Sequence, residues 1–287
     1  MPAEGHTPAR APLDAAALQR AAVRPQGLWR AVEVVGRTGS TNADLLARAL
    51  RGEPEGVVLA AEEQTAGRGR MGRAWVAPPR AALTFSMLLR PTPPPARRGW
   101  LPLLAGLAVA EAVTAVTGVP AALKWPNDVL AGHAKLCGIL AESAGDAVVV
   151  GVGLNVSTEP AELPPPGPGG LPATSLAAAG AASPSREPLL LAILAAVERW
   201  YQAWQHARGD PEGSGLRAAY TGRSATVGRL VRAELPGGQT LSGLATGVDP
   251  DGRLLVRLSS GTESGTESGT ESGAEVAVAA GDVVHVR

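Results

Sequence analysis

Between Gln64 and Trp75 the chain reads Gln-Thr-Ala-Gly-Arg-Gly-Arg-Met-Gly-Arg-Ala-Trp. Glycine costs about 1 kcal/mol per position in a helix and gives a strand nothing to pack. The composition therefore predicts a loop, and a cationic one. Its glycines let backbone N–H groups turn toward a ligand, while arginine supplies fork-shaped donors that fit carboxylate and phosphate. The chemistry this suits is flexible closure over a small anion. An RGG-like nucleic-acid tail or a solvated turn would use the same residue types. A tail would be long and repetitive, however, whereas this loop occurs once and sits between two apolar runs.

Residue rarity points to further positions. Lys124 and Lys135 are the only lysines among 26 cationic residues, and Asn42, Asn127 and Asn155 are the only asparagines. All five lie between Ser40 and Val156, which suggests positions where arginine or aspartate will not substitute. Ser40-Thr41-Asn42 opens a helical pattern in which Thr41 and Asp44 have capping-box spacing. The triplet reads as an N-cap, and equally as a helix N-terminus whose short polar side chains grip a small polar ligand. In Lys124-Trp125-Pro126-Asn127-Asp128, Pro126 interrupts a strand and Asn127-Asp128 makes a turn. Lys135 to Glu142 then returns as a strand across Gly132-His133. Asp128 and Lys135 fall on neighbouring strands where their side chains converge, either as a plain hairpin ion pair or as part of a site. Gly151 and Gly153 share one face of the strand Ala147–Val156, which allows close sheet packing or the approach of something flat, such as an adenine or a neighbouring strand. Cys137 reads as a small core residue. His133 sits at a loop tip with no second histidine near it, so no metal site of protein nitrogen or sulfur ligands is expected.

The elements that must position these residues follow from periodicity. Strands are expected at Trp29–Val35, Val57–Ala61 and Leu83–Leu89, and helices from the Thr41 cap to a stop at Gly52, over Trp100–Thr117 and over Glu187–Gln205. The last of these carries an apolar stripe of Leu190, Ile193, Leu194, Val197, Trp200 and Trp204. Residues 1–28 read as an arm with a short helix over Leu13–Val23. Ser157–Pro188 reads as a long loop with a short helix seeded at Thr174-Ser175-Leu176. Beyond Tyr220 the pattern becomes short strands, at 224–233, 240–248, 254–258, 275–279 and 283–287. Turn signals stand at Gly237-Gly238 and Asp249-Pro250-Asp251-Gly252, and together these predict a small all-β barrel. The Gly-Thr-Glu-Ser repeat at 261–273 reads as a passive hairpin tip.

Composition narrows the function classes. The 287 residues suggest about two domains, and formal net charge is zero, against a nucleic-acid partner. One cysteine excludes an internal disulfide. The N-terminus lacks a signal-peptide apolar region, and no run of about 18 apolar residues is expected, so no membrane association is foreseen and the cytoplasm is the expected compartment.

Taken together, Ser40-Thr41-Asn42, the loop Gln64–Trp75, Lys124–Asp128, Lys135–Leu140 and Gly151–Val156 resemble the biotin protein ligases, in the family's order over about residues 30–287. The resemblance implies an α+β fold. A mixed-sheet catalytic domain packed with helices spans 29–222 and binds biotin and ATP, and an SH3-like β-barrel spans 223–287. The N-terminal arm looks too short for the DNA-binding domain of bifunctional members, so the monofunctional type is expected. The implied reaction is ATP-dependent formation of biotinyl-5'-AMP, then transfer of biotin to a lysine of a biotin carboxyl carrier protein. Mg²⁺ accompanies the nucleotide, and the resemblance admits a homodimer. By resemblance, Ser40, Thr41, Asn42 and Gln64 hold the ureido head, and Arg68, Gly69 and Arg70 close over the acyl-phosphate. Trp125 walls the pocket and Lys135 contacts carboxylate and phosphate oxygens. Asp128 orients Lys135 or a Mg²⁺-bound water, and Asn155 serves the nucleotide. Rival readings are a lipoate–protein ligase and a non-enzymatic biotin-binding regulator. Three polar residues at Ser40 favour a ureido group over a dithiolane, and a regulator should have lost Lys135.

Overall fold

Ser40 stops one strand-like approach and starts a helix: its extended backbone lets its hydroxyl accept from Ala43 N at 3.5 Å. The cap is thus Ser40, one residue before the expected Thr41. In this computed structural model, which describes residues 10–166, 171–235, 240–259, 273–279 and 282–286, the elements run α1 (Ala15–Ala22), β1 (Ala31–Val35), α2 (Thr41–Leu50), β2 (Val57–Ala61), β3 (Ala82–Leu89), α3 (Trp100–Thr117), β4 (Ala121–Lys124), β5 (Asp128–Ala131), β6 (Ala134–Ala144), β7 (Ala147–Asn155), α4 (Arg186–His206), α5 (Leu216–Gly222), β8 (Leu230–Glu234), β9 (Thr240–Val248), β10 (Leu254–Leu258), β11 (Glu275–Val278) and β12 (Asp282–His285).

Seven strands form one sheet in the order β1-β2-β3-β7-β6-β5-β4. Only β1 and β2 pair in parallel, so the sheet is mixed. Its two faces follow the period-2 alternation of each strand. Val58 and Ala60, Phe85 and Met87, and Val150 and Val152 point into the main core with residues of α1, α3 and α4. Val57, Leu59, Leu88 and Val149 point the other way, where Leu45 and Ala49 of α2 cover them in a smaller cluster. On that second face, beyond α2, the strands present Ser86, Gly138, Gly151 and Gly153 in place of apolar side chains. The second core stops there, and a cavity begins.

Helix α3 is apolar enough over 18 residues to cross a membrane, with mean hydropathy 1.6, against the expectation that no such run exists. Two thirds of that stretch is buried, most of it in the main core with α4. Helix α1 docks on the same core through Leu18 and Ala22.

The C-terminal strands form a five-stranded antiparallel sheet, β11-β10-β9-β8-β12. Its first strand begins at Leu230, not at Ser224, because the Ser224 hydroxyl accepts from Thr226 N and Val227 N and holds the chain in a turn. The expected turn at Asp249–Gly252 is present and serves as the docking point between the sheets. Trp100 Nε1 donates to Asp249 O at 3.1 Å and Trp125 Nε1 to Gly252 O at 3.0 Å. The Gly-Gly turn at 237–238 and nearly all of the Gly-Thr-Glu-Ser repeat lie outside the described residues.

Candidate active site

The cavity encloses about 290 Å³ on the α2 face of the large sheet. Three regions of sequence make its polar end. Thr41 N donates to Gln64 Oε1 at 2.9 Å, and Thr41 Oγ1 lies 2.7 Å from Ser86 Oγ. Ser86 Oγ donates to Asn42 Oδ1 at 2.5 Å, so toward Thr41 it can only accept, and Thr41 Oγ1 shares its one proton between Ser86 Oγ and Gln64 Oε1 at 3.1 Å. Asn42 Nδ2 donates to Leu140 O at 3.2 Å and to Glu142 Oε2 at 2.8 Å. Thr41, Asn42 and Ser86 are all buried, and every polar atom of the Asn42 side chain is engaged. Gly151 is required here, because a Cβ on it would collide with Asn42 Oδ1.

The Gly/Arg loop crosses above this floor as a hydrogen-bonded hairpin. Trp75 N donates to Gly67 O at 2.9 Å and Gly69 N to Arg73 O at 2.7 Å. Its two central arginines reach opposite ends of the cavity. Arg68 Nη2 donates to Glu142 Oε2 at 3.0 Å, beside Asn42. Arg70 Nη1 donates to Asn127 Oδ1 at 3.1 Å, beside Lys135 and Asp128. Arg68 thus contacts the Asn42 end and Arg70 the Lys135 end.

The second end is charged. Lys135 Nζ pairs with Asp128 Oδ1 at 2.7 Å by reaching along its strand to Gly138, the residue that stands opposite Asp128. Among the described residues, Arg70, Arg73, Lys124 and Lys135 line the cavity besides Arg68, which is paired with Glu142 at the other end, and Asp128 is the one carboxylate in the lining. That imbalance suits a polyanion. Asn155 also lines the cavity, but its amide is committed to Thr174 O at 2.9 Å.

Trp125 corrects the sequence-based expectation. Its side chain is 1% exposed in the main core, turned away from the cavity. Strand alternation puts it on the same face as Leu123, and its indole N–H is spent joining the two sheets. The tryptophan at the cavity is Trp75, which ended the Gly/Arg motif but was not assigned to the site. Its ring lies over Gly153 and against Gly138, whereas Gly151 faces Asn42, so an indole covers one of the two glycines of that strand face and an amide the other. Its Nε1 is buried with no acceptor among the described residues.

Sequence reasoning also missed Ser86, Asn127, Glu142 and Lys124. Ser86 had a signal, as one of two polar residues, with Thr84, on the same face of the run Leu-Thr-Phe-Ser-Met-Leu-Leu; Asn127 and Lys124 had their rarity. Glu142 had none, because its partners are about 75 and 100 residues away.

No side chain in the cavity is set up as a nucleophile. Cys137 is fully buried and burial pushes its thiol pKa far up, and the Ser86 hydroxyl is locked between two partners. Among the described residues no cluster of three His, Cys, Asp or Glu could cage a metal. The arrangement therefore suits direct condensation of two bound substrates, with neutral recognition at one end and charge neutralisation at the other.

The cavity thus joins an uncharged set of side chains to a cationic one, on a mixed sheet with a small antiparallel sheet docked against it. Residues 34–157 match the biotin/lipoate A/B protein ligase family and residues 226–286 match the biotin protein ligase C-terminal domain. The chain is 46% identical over 283 residues to the biotin–[acetyl-CoA-carboxylase] ligase of Mycobacterium tuberculosis, covering 97% of each chain. Its fold matches the Aquifex aeolicus biotin protein ligase in complex with biotin and ATP, with TM-score 0.67, 26% identity, and coverage of 89% and 98% of the two chains. It also matches the Leishmania major biotin protein ligase in complex with biotinyl-5-AMP, with TM-score 0.57, 26% identity, and coverage of 80% and 96%. The chain belongs to the biotin protein ligase family.

Proposed function

We infer that this enzyme activates biotin with ATP and transfers it to a lysine of a biotin carboxyl carrier protein. The observation that carries the reading is the joining, in one cavity, of the neutral Thr41–Asn42–Gln64–Ser86 set to the charged Lys135–Arg70–Lys124 set. The biotin carboxylate oxygen attacks the α-phosphorus of ATP, the bond to the β-phosphate oxygen breaks, and pyrophosphate leaves. The acceptor lysine amine then attacks the acyl carbon, AMP leaves, and the amine gives up its proton.

We assign Ser40, Thr41, Asn42 and Gln64 to the ureido head. Ser40 Oγ–H and Gln64 Nε2 are the donors of this set not engaged by other described residues. We assign Lys135 and Arg70 to the oxygens where negative charge gathers in the transition state, and the Trp75 indole N–H to a ligand acceptor. Asp128 orients Lys135. As the one carboxylate in the lining it also fits a Mg²⁺ that arrives on the ATP phosphates, since Mg²⁺ binds commonly through one or two carboxylates plus substrate phosphates and water; bound there, the ion supplies further charge neutralisation. Because the two sheets share no strand, residues 29–222 and 223–287 are the natural catalytic and C-terminal units. The acceptor carrier protein and ATP make the cytoplasm the proposed compartment.

The test is biotin-dependent exchange of pyrophosphate into ATP, run beside lipoate, followed by transfer to a carrier domain. Exchange with biotin alone is expected. Exchange with lipoate but not biotin would overturn the reading. A non-enzymatic regulator would show none.

A further inference from the structure

The first described residues of the chain lie along the outside of two cavity walls and tie them together. Arg10 reaches the carboxylate of Glu162 with both terminal nitrogens, Nη1 to Oε1 at 3.3 Å and Nη2 to Oε2 at 2.5 Å. Arg10 Nη2 also donates to Ser157 O at 3.0 Å. Ser157 and Glu162 bracket a short turn, and Glu162 Oε2 closes it by accepting from Glu159 N at 2.9 Å. Two residues further on, Pro164 and Pro165 line the cavity. The guanidinium thus staples both ends of the segment that delivers this proline wall.

The same stretch grips the base of the Gly/Arg loop. Leu13 N donates to Glu62 Oε1 at 2.6 Å and Arg80 Nη1 to Arg10 O at 3.4 Å. Glu62 and Arg80 are the two residues whose backbones close that base, Arg80 N to Glu62 O at 2.8 Å. Arg186 completes the frame, pairing with Glu62 Oε2 at 2.7 Å and donating to Ala11 O at 2.6 Å. Arg186 and Glu62 are almost fully buried, at 7% and 8% side-chain exposure, whereas Arg10 and Glu162 stand at 15% and 28%. The outer pair is therefore open to substitution without leaving a deeply buried charge unpaired.

Later in the same connection between β7 and α4, Leu171 and Ala173 also line the cavity, and there the chain meets the reacting end: Lys135 N donates to Pro172 O at 2.8 Å and Thr174 N to Lys135 O at 2.9 Å. The residues of the neutral end make no contact with Arg10 or Glu162 in any of these bonds.

We propose that residues 10–14 act as a strap fixing the proline wall against the Gly/Arg loop, with Arg10 a positioning residue for the nucleotide end of the cavity. The strap rests on the reading of this cavity as the biotin and ATP site. It explains why the N-terminal segment is held by its main chain: three of its bonds to the frame use backbone N–H or C=O, so the segment's path matters more than its side chains, Arg10 excepted.

The experiment uses the full chain with Arg10→Ala, Arg10→Lys, Glu162→Gln and the swap Arg10→Glu/Glu162→Arg. Biotin affinity is measured by calorimetry, the KM for ATP by pyrophosphate exchange, and loss of biotinyl-AMP by gel filtration. A charge-assisted bidentate pair, discounted for partial exposure, corresponds to about tenfold. Arg10→Ala and Glu162→Gln are expected to raise the ATP KM and the adenylate off-rate about tenfold, leaving biotin affinity within twofold. Arg10→Lys is expected to fall between, and the swap to recover part of the loss. Unchanged adenylate retention in folded Arg10→Ala, or biotin affinity falling in step with ATP, would overturn the strap; if Arg10→Ala does not fold, Glu162→Gln decides on the same criteria. Absence of exchange in the unaltered enzyme would instead overturn the functional reading.

Discussion

The two ends of the cavity solve recognition in opposite ways. At one end Thr41, Asn42 and Ser86 are buried, uncharged and bonded to one another, with the Arg68–Glu142 pair at their margin. At the Lys135–Asp128–Arg70 end the side chains are charged, and Lys135 keeps 31% of its side chain exposed. A neutral network fixed before ligand arrives spends little on reorganisation, but any unsatisfied member is costly. A charged set can exchange its partners for phosphate oxygens and contributes most as charge develops. On the assignment proposed above, the difference makes affinity for the head group and acceleration of the reaction separable.

Breaking the charged end should have the largest effect. Lys135→Ala is expected to abolish pyrophosphate exchange while biotin affinity, read by calorimetry, changes by no more than about tenfold, the low end for one charged hydrogen bond. Normal exchange in that variant would remove Lys135 from the reaction. Gly151→Ala attacks the other end, because its Cβ must displace Asn42 Oδ1. Overpacking of this kind costs about 1–3 kcal/mol, so biotin affinity should fall by up to roughly a hundredfold, with the ATP KM steady. Equal losses for both substrates would show that the ends are coupled.

Ser86→Ala is gentler. It leaves Asn42 Oδ1 without its donor while Thr41 Oγ1 keeps Gln64 Oε1 at 3.1 Å, and about tenfold in biotin affinity is expected from one buried unsatisfied group. An unchanged dissociation constant would mean that the network is not what holds the head group. The smallest effect is in stability. His285 sits in β12, its Nε2 3.1 Å from Thr226 Oγ1. Its pKa is lowered from 6.5 by burial first, then by Lys124 and Arg229. The unfolded chain therefore takes up this proton at higher pH than the fold does, so stability present above pH 6.5 should decline as pH falls below it. His285→Gln should flatten that decline in thermal melts; an identical slope would place its cause elsewhere.

Much of this site was legible because its parts are local. Ser40–Asn42 sit where a cap must, Asp128 and Lys135 are set by one hairpin, and the boundaries of α3 and β2 follow from apolar runs bounded by breakers. The departures have long-range causes. Trp125 was read as a pocket wall because it stands in a motif, but its face is decided by the strand and by Gly252, 127 residues away. Glu142 is a site residue only because Arg68 and Asn42 converge on it across the sheet. The grip of the N-terminal segment depends on Glu162, 152 residues from Arg10, which no periodicity reveals.

The separation of the two ends is tested most directly with two ligands and the unaltered enzyme. Biotinol keeps the ureido head and lacks the carboxylate; lipoate keeps a carboxylate and lacks the ureido group. Calorimetric titration of each without ATP is expected to give biotinol the lower dissociation constant by a wide margin, since the Thr41–Asn42–Gln64 end carries recognition. Lipoate binding as tightly as biotinol, or more tightly, would contradict the account by placing recognition at the charged end.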